Sequence, residues 1–469
     1  MTDKTLLAVG VLCALMSFQA GAQSTTDMAV LKGLAPVTVL SNTPEGTAAL
    51  AANYTVTGGI QTGAIRQSTL LPFAEQQQQA LRDAFITSGD LAQLADGLGT
   101  TLGASYLARA HYTGQTSFAN ISQPVADLIA YANATTGTDS NAGKYFFANA
   151  TTDGKTPVSA EAMAILKKIG GNTDIFGKSY GFPAGTSGAD AFGNSRPFQT
   201  EPSVSPIVGT DYLNVPANNW VYNRGPMMNL IDSPSYPSGH TTYGYTGALI
   251  LAVLVPERYQ QMVVRGAEYG NDRILMGAHY AMDVMGGRTL AIYDMAHLLA
   301  NDPAYVSRAL QGVSTIKDFQ AAIKAARANV TTALQAACGK SIQECAREDT
   351  GRLSNPAANE AFYADTQTYN LPVVYPQNSA AVENVGKLAP EAGYLLTVAY
   401  PTLTLEQADQ ILTETEGPGG GFLDDGSSFG VYSRLNLYAA AGRAAALASG
   451  QSYSDRRGNS SQKATAARD

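Results

Sequence analysis

The chain has 469 residues, of which 45% are hydrophobic and 14% are charged, and its formal net charge is −8. This composition is typical of a chain with a packed core and argues against wholesale disorder, and the length suffices for a large domain with additional segments. An acidic chain without a basic run is a poor candidate for nucleic-acid binding and gains little from an anionic membrane surface.

The first residues have the pattern of a secretory signal peptide. Lys4 gives a positive start, Leu6 to Phe18 is a short apolar run, and Ala20-Gly21-Ala22 offers small residues for cleavage. We therefore predict a signal peptide over residues 1–22, cleaved after Ala22, with a buried N-terminal helix as the alternative. No later apolar run reaches the roughly 18 residues that cross a bilayer, so we expect a periplasmic or secreted protein without integral membrane association.

Helical periodicity dominates the middle of the chain. Residues 23–75 are rich in Thr, Gly, Ala and Ser, and we predict an irregular N-terminal segment there, followed by a helical domain over 76–345. The predicted helices of that domain are Gln76–Ile86, Leu91–His111, Ser122–Ala132, Ser159–Ile169, one from Ser238 that Pro256 stops, Pro256–Tyr269, His279–Leu299 and Ile316–Ala337. Residues 170–236 between them are dominated by Gly, Pro, Asn and Ser, and a loop this long is often functional.

The last part of the chain has mixed character. We predict that residues 346–450 form a C-terminal extension that packs on or caps the core, with a short strand at Tyr394–Ala399 and helices at Leu405–Leu412 and Leu435–Leu447. The polar residues 451–469 are predicted to be a disordered tail.

Two cysteines, Cys338 and Cys345, remain once the signal peptide is removed. An even pair in an exported chain predicts one disulfide that closes a small loop, with two free buried thiols as the alternative. A zinc site is disfavoured because no further His or Cys stands nearby to complete four ligands.

Two of the four histidines lie in arrangements with a chemical logic. The segment Tyr236-Pro237-Ser238-Gly239-His240 opens a predicted helix, and the free N–H groups of a helix start favour an anion. Ser238 can cap the helix or donate to a phosphate oxygen, and Gly239 allows the backbone to approach the anion. Taken alone, a plain N-cap is the commoner explanation of this segment.

A second arrangement is Arg273 followed by His279 and Asp283. The histidine and the carboxylate are four residues apart on a predicted helix, so they share a face. A carboxylate beside an imidazole fixes its tautomer and raises its basicity, and the other ring nitrogen can then act as a nucleophile. Arg273 offers a fork of donors for phosphate oxygens. An ordinary surface His–Asp pair explains this segment alone about equally well.

Arg196-Pro197 inside the long loop completes a set of three blocks in the order Arg-Pro, Pro-Ser-Gly-His and Arg-x5-His-x3-Asp. This set resembles the type-2 phosphatidic acid phosphatase superfamily, which includes soluble bacterial acid phosphatases, membrane lipid phosphatases and vanadium haloperoxidases. The resemblance covers roughly Phe192 to Arg288. It implies a mainly α fold with a helical bundle core, long irregular loops and one phosphate site where the three blocks converge.

The resemblance also implies roles for individual residues. Arg196 and Arg273 would bind phosphate oxygens, and Ser238 with the Gly239 amide would complete the cradle. The nucleophile would be His279, oriented by Asp283. The general acid would be His240, which would protonate the leaving group and later activate water.

Two positions depart from the family pattern. The lysine usually found seven residues before the first-block arginine is replaced by Ala189, which predicts weaker binding of phosphate or vanadate. Lys178 and Arg224 are candidates for the missing cation, although surface exposure is the commoner fate of such residues. The serine usual before the third-block arginine is replaced by Asp272, which is a milder change.

The expected function is therefore an exported, metal-independent phosphatase that hydrolyses small phosphate monoesters through a phosphohistidine, with no cofactor. One alternative is a haloperoxidase that holds vanadate in the same site, and another is a phosphate-binding protein without catalysis. The sequence leaves the oligomeric state open.

Overall fold

The computed structural model describes residues 25–86, 89–168, 194–201, 204–349 and 351–450. Regular structure in these ranges is almost entirely helical, which confirms the predicted mainly α fold class. In chain order the helices are α1 (Thr25–Leu34), α2 (Pro44–Thr62), α3 (Phe73–Asp83), α4 (Thr100–Leu107), α5 (Gln123–Asn149), α6 (Ala160–Lys168), α7 (Pro197–Thr200), α8 (Asn219–Arg224), α9 (Gly239–Leu254), α10 (Tyr259–Leu275), α11 (Ala281–Leu299), α12 (Phe319–Cys338), α13 (Ile342–Glu348), α14 (Pro356–Thr368), α15 (Val385–Leu388), α16 (Tyr394–Thr397), α17 (Leu405–Glu414), α18 (Ser428–Arg434) and α19 (Leu437–Ala448).

The remaining regular elements in the described ranges are short. Segments of 3₁₀ helix occur at Ala35–Asn42, Ala92–Leu98, Pro256–Arg258 and Pro390–Gly393. Two antiparallel ribbons pair β1 (His111–Gly114) with β2 (Ser117–Ala119) and β3 (Val208–Thr210) with β4 (Pro216–Asn218). The ribbons lie in connections between helices, so the core of the described chain is built by helices alone.

Helices α9, α10 and α11 form the centre of the core. Nearly every residue of α9 and α11 is buried, whichever face it occupies, as expected for helices surrounded by others. Helix α9 packs against α10, α11 and α5, and α12 lies against α5 and α9. The second block lies at the start of α9, the third runs from the end of α10 into α11, and the first lies at the start of α7.

The N-terminal segment differs from its prediction. Residues 23–75 were expected to be irregular, but α1 and α2 are helices, and Val30, Leu31 and Leu34 of α1 are fully buried. Helix α2 is rich in Thr and Gly, and several of the residues on its buried face are polar. The apolar periodicity that indicates a helix in a sequence is therefore missing there. Two of them cap α11: Thr57 Oγ1 accepts the amide of Ala281 at 3.1 Å, and Asn53 Oδ1 accepts the amide of Met282 at 2.9 Å.

Two helix predictions and one strand prediction also need correction. Helix α5 does not stop near Ala132 but continues to Asn149. The predicted helix from Leu91 to His111 breaks at Gly99, where φ is +94°, and the segment predicted as a strand at Tyr394–Ala399 is helical. The left-handed backbone at Gly99 explains the break, because a helix cannot continue through it.

The C-terminal region packs directly on the central helices. Helices α14 and α19 contact α10, and α18 contacts α11. Arg352 adds polar bonds to this surface, since its guanidinium binds Asp96 at 2.6 Å and Glu268 at 2.5 Å. Cys338 at the end of α12 is joined by a disulfide to Cys345 of α13, the pairing expected from the sequence.

Within the described ranges, no helix combines the length and apolar character that a bilayer crossing requires. The predicted signal peptide (residues 1–22) and the predicted tail (residues 451–469) lie outside the described residues.

Candidate active site

Backbone hydrogen bonds join the three blocks. Gly277, in the turn between α10 and α11, has φ +69° and accepts the amide of Phe198 at 2.9 Å, which attaches the Arg-Pro block to the third block. The amide of Ser238 donates to the carbonyl of Asp283 at 3.0 Å, which attaches the second block to the third. The structure therefore brings the predicted site residues of all three blocks into one place.

Two adjacent glycines of α11 allow this close approach. A methyl group on Gly287 would lie 2.5 Å from the carbonyl oxygen of Ser238, and one on Gly286 would lie 2.6 Å from the ring of Tyr236. Real side chains do not tolerate such distances, so α11 can lie against the Pro-Ser-Gly-His block only because both positions lack a Cβ.

His279 lies just before α11 rather than on it, which corrects the predicted helical pair. Asp283 still reaches it, because its carboxylate folds back over the first turn of α11 and accepts the Tyr280 amide at 2.8 Å. The same oxygen, Oδ2, lies 3.4 Å from Nδ1 of His279. A carboxylate at the start of a helix suits the helix dipole, so one side chain both caps α11 and faces the imidazole.

Ser235 joins this pair and was not identified from the sequence. Its hydroxyl donates to Oδ2 of Asp283 and lies 3.3 Å from Nδ1 of His279. Burial raises the pKa of the Asp283 carboxyl to about 6, against the opposing effects of Ser235, the Tyr280 amide, Arg196 and Lys144. Ser235 lies one residue before the second block, and this position is the only feature of the sequence that indicates a place in the site.

Arg196 is fully buried and all of its guanidinium nitrogens are hydrogen-bonded. It donates to the carbonyls of Ser233 at 2.7 Å, Pro234 at 3.0 Å and Ala278 at 3.0 Å. One further N–H, on Nη1, lies 3.0 Å from Nε2 of His279. These bonds hold the loop before the second block against the turn that carries His279, so Arg196 both organises the site and faces the imidazole.

Ser238 and Gly239 begin α9 as the sequence predicts. Ser238 Oγ accepts the amide of Thr241 at 3.2 Å and its hydroxyl at 2.9 Å. The plain N-cap explanation therefore holds, and because both contacts use Ser238 as an acceptor, its own O–H stays available as a donor. His240 follows in the first turn. It is 8% exposed, and its Nε2 has no hydrogen-bond partner among the described residues.

Arg273 is the clearest unpaired cation of the site. It is fully buried, and none of its three guanidinium nitrogens has a hydrogen-bond partner among the described residues. The departure at Asp272 does not fill this need, since burial together with Asp83 and Glu268 holds the pKa of the Asp272 carboxyl well above its usual range. A carboxyl with a raised pKa brings less negative charge next to Arg273 than an ordinary aspartate would.

A second residue that the sequence reasoning missed is Lys144 of α5. It is 7% exposed, and its Nζ lies 3.0 Å from the point that a Cβ of Gly239 would occupy. The sequence offers one indication of this role, a single lysine among small and aromatic residues in Gly143-Lys144-Tyr145-Phe146-Phe147. Because the helix was predicted to end near Ala132, the sequence pattern did not place Lys144 on the same helix.

Burial and the surrounding cations lower the pKa of both histidines and so favour their neutral forms. Burial first, and then Arg196, Lys144 and Arg273, hold the pKa of His279 well below its usual value. Burial followed by Arg273, Lys144 and Arg196 has the same effect on the pKa of His240. A neutral imidazole is what a nitrogen nucleophile requires.

The two cations suggested for the gap at Ala189 have different outcomes. Lys178 and Ala189 themselves lie outside the described residues. Arg224 is engaged elsewhere, since its guanidinium lies 3.7 Å from the centre of the Trp220 ring and donates to the Phe198 carbonyl at 2.8 Å.

Across the described part of the chain, no three His, Cys, Asp or Glu side chains are grouped as a metal site would require. The site is instead formed by two histidines, one carboxylate and several cations, a donor set that suits an oxyanion.

Comparison with known proteins points to the same region. Residues 181–301 match the PAP2 superfamily. A stretch of 64 residues is 47% identical to a non-specific acid phosphatase of Salmonella typhimurium and covers 14% of this chain and 26% of that protein. An acid phosphatase of Zymomonas mobilis is 47% identical over 64 residues, or 14% of this chain and 24% of that protein. A non-specific acid phosphatase of Providencia stuartii is 40% identical over 67 residues, or 14% and 27%.

The chain thus spans about a quarter of the length of the curated relatives that it matches. The match to the PAP2 superfamily contains all three blocks, from Arg196 to Asp283. Residues 181–301 are thus similar to the PAP2 superfamily, and the named relatives that the chain matches over a short stretch are acid phosphatases.

Proposed function

We propose that the chain is an exported phosphatase that hydrolyses small phosphate monoesters through a phosphohistidine on His279. The observation that carries this proposal is the contact between Arg196 and the imidazole of His279, because it indicates which ring nitrogen carries the proton. A guanidinium can only donate, so the contact from Arg196 to Nε2 requires that this nitrogen carry no proton. The proton then sits on Nδ1, towards Asp283, and the lone pair of Nε2 is the nucleophile.

Phosphate binding comes first in the proposed reaction. The unpaired guanidinium of Arg273, the Ser238 hydroxyl and the free amides at the start of α9 are donors close to His240. Donors of this kind, fixed before the reaction, stabilise the charge that spreads over phosphoryl oxygens in the transition state. Arg196 exchanges its contact with Nε2 for one with a phosphate oxygen as phosphorus approaches.

Two displacements follow. In the first, Nε2 of His279 forms a bond to phosphorus, the ester P–O bond breaks, and protonated His240 gives its proton to the leaving oxygen. In the second, neutral His240 takes a proton from water, the hydroxide attacks phosphorus, and the P–N bond breaks to release phosphate and His279. Asp283 stabilises the positive charge that the imidazole of His279 gains when phosphorylated.

The proposed reaction uses no metal. Guanidinium and ammonium groups next to the histidines supply the positive charge that a divalent cation supplies in many phosphoryl-transfer enzymes. Adding a chelator should therefore leave the rate unchanged.

Export and a broad substrate range belong to the same proposal. The pattern of residues 1–22 supports export, and the disulfide between Cys338 and Cys345 is typical of oxidising compartments. Two of the relatives are named non-specific acid phosphatases, which supports a range of small phosphate esters rather than one.

Hydrolysis of p-nitrophenyl phosphate with a chelator present tests the proposal. Wild type should release phosphate, and His279→Ala should not. The matched control is His111→Ala, because His111 lies on β1 and bonds the Leu107 carbonyl outside the site. Equal activity of wild type and His279→Ala would contradict the proposal.

Orthovanadate separates the alternatives at the same site. It should inhibit a phosphatase as a competing oxyanion, whereas a haloperoxidase would use it with peroxide to oxidise halide. A phosphate-binding protein without catalysis would bind phosphate and release none from the ester. Halide oxidation, or binding without turnover, would replace the phosphatase assignment.

A further inference from the structure

Helix α5 brings a lysine into the site from outside the three blocks. Nζ of Lys144 lies 3.0 Å, and Oγ of Ser140 lies 3.6 Å, from the point that a Cβ of Gly239 would occupy. The two residues are four apart and therefore share one face of α5. Both are more than nine-tenths buried, at 7% and 1% exposure.

A close helix contact sets this position. Gly143 lies between the two residues on the same side of α5, and a Cβ added there would be 3.2 Å from Cδ of Pro237. The missing side chain lets α5 approach the Pro-Ser-Gly-His block directly. The long side chain of Lys144 can then extend past Gly143 to the start of α9.

The charges around Lys144 leave it without a counter-ion. None of the described carboxylates forms an ion pair with it. Burial, then Arg196 and Arg273, lower the pKa of its ammonium to about 7, and Asp283 is the opposing influence. A buried cation without a partner is unfavourable. Lys144, Arg196 and Arg273 all lie close enough to His240 and His279 to lower their pKa values, so a bound anion would stabilise this group of charges. The unpaired donors are Arg273 and the hydroxyl of Ser140.

We propose that Lys144 is a phosphate-binding residue, which supplies from α5 the cation that the first block lacks at Ala189. This inference rests on the proposed function, since it assigns a ligand of the same phosphate site. Lys144 binds a non-bridging phosphoryl oxygen next to Gly239. A lysine on a different helix thus provides the charge without occupying the usual place in the sequence.

The direct test compares Lys144→Met with wild type by titration calorimetry with inorganic phosphate and by inhibition with phosphate and orthovanadate. Loss of one charge-assisted hydrogen bond should weaken binding of both anions roughly tenfold to hundredfold. Lys144→Arg should restore part of the affinity, and Lys144→Gln should show the same loss as Lys144→Met. The matched control is Lys155→Met, an exposed lysine after α5, which should bind phosphate as wild type does.

Two readouts separate binding from a structural role. The melting temperature of ligand-free Lys144→Met should equal or exceed that of wild type, because an unpaired buried charge has been removed, while the increase caused by phosphate should shrink. Removing a cation next to His240 should also raise the pKa of that histidine, so the alkaline limb of kcat/KM should move to higher pH. A residue with only a structural role would lower the ligand-free melting temperature and leave phosphate affinity unchanged.

The outcomes distinguish this inference from the proposed function. If wild type hydrolyses the ester and Lys144→Met, Lys144→Gln and wild type bind phosphate equally, the role of Lys144 is wrong and the phosphatase assignment stands. If wild type binds phosphate but does not hydrolyse esters, the phosphatase assignment is wrong, and the binding titration still decides the role of Lys144.

Discussion

Arg196 donates a hydrogen bond over 3.0 Å to Nε2 of His279. Because a guanidinium has no acceptor, this contact places the imidazole proton on Nδ1, where Ser235 and Asp283 face it at 3.3 Å and 3.4 Å. The tautomer needed for attack is therefore set by the protein before any substrate binds. The same arginine binds the Ser233, Pro234 and Ala278 carbonyls, so one side chain holds both the proposed nucleophile and the loop beside it.

Arg196→Lys should show how much this fork of donors contributes. An ammonium cannot bind three carbonyls and the imidazole in their present directions. Loss of one pre-positioned donor to a transition state lowers kcat by roughly 10²- to 10³-fold, and we expect at least this decrease together with a lower melting temperature. Steady-state kinetics and thermal unfolding measure both effects. A variant with the kcat of wild type would show that the fork is not needed.

Ser235→Ala should change the pH dependence on the acid side. The Ser235 hydroxyl lowers the pKa of Asp283, which burial raises to about 6. The proposed reaction needs ionised Asp283, so activity should be present above this pKa and be lost as pH falls through it. Without the hydroxyl the pKa rises further, and the acid limb of the rate profile should move to higher pH.

The control for this variant is Ser354→Ala, which removes an exposed hydroxyl outside the site. Its acid limb should coincide with that of wild type. An unshifted limb in Ser235→Ala would mean that Asp283 does not control the acid side of the profile.

The alkaline limb should differ between kcat and kcat/KM. In the free site, burial and then Arg273, Lys144 and Arg196 hold the pKa of His240 well below its usual value. A bound phosphate dianion offsets these cations and raises that pKa. Because kcat/KM reports the free enzyme and kcat reports the complex, the limb of kcat should lie at higher pH.

Two esters whose phosphate groups have different pKa values make this measurement unambiguous. If the alkaline limb of kcat/KM shifts with the pKa of the ester, it reports ionisation of the substrate. If the limb is at the same pH for both esters, it reports ionisation of the enzyme. Coincident enzyme limbs for kcat and kcat/KM would contradict the proposed role of the cations around His240.

Arg265→Met should test the buried polar network beneath the site. Arg265 of α10 is fully buried and binds Asp83 of α3 at 2.7 Å and 2.5 Å. Removing the cation leaves a buried carboxylate uncompensated, which lowers the free energy of unfolding by about 3–5 kcal/mol. Urea unfolding measures this loss. Lys340→Met, which breaks an exposed ion pair with Glu348, is the control and should unfold at the urea concentration of wild type. If Arg265→Met and wild type had the same free energy of unfolding, Arg265 would not be stabilising the buried carboxylate of Asp83.

The sequence predicted those site residues that lie in contiguous motifs. His240, His279 and Asp283 are brought together with both arginines, because each block carries its own turn or helix start. The helical class also followed from apolar periodicity. The role of each residue remains a prediction that the experiments above test.

Residues outside the motifs could not be predicted in the same way. Lys144 reaches the site only because α5 continues past Ala132 and Gly143 lets it approach Pro237. The interior of α5 buries Thr135 and Asp139, so its polar residues resemble a helix end when only the sequence is read. Tertiary packing, rather than local propensity, decides such positions.

The central claim is that His279 carries the phosphoryl group. His240→Ala tests it most directly with p-nitrophenyl phosphate, whose leaving group needs little help from a general acid. Phosphorylation should then proceed while hydrolysis, which needs His240 as base, is slow. We predict a burst of one equivalent of p-nitrophenol per site and phosphate attached to Nε2 of His279, detected by mass spectrometry after a denaturing quench at alkaline pH. A burst with the label on another residue, or turnover with no covalent intermediate, would contradict the account.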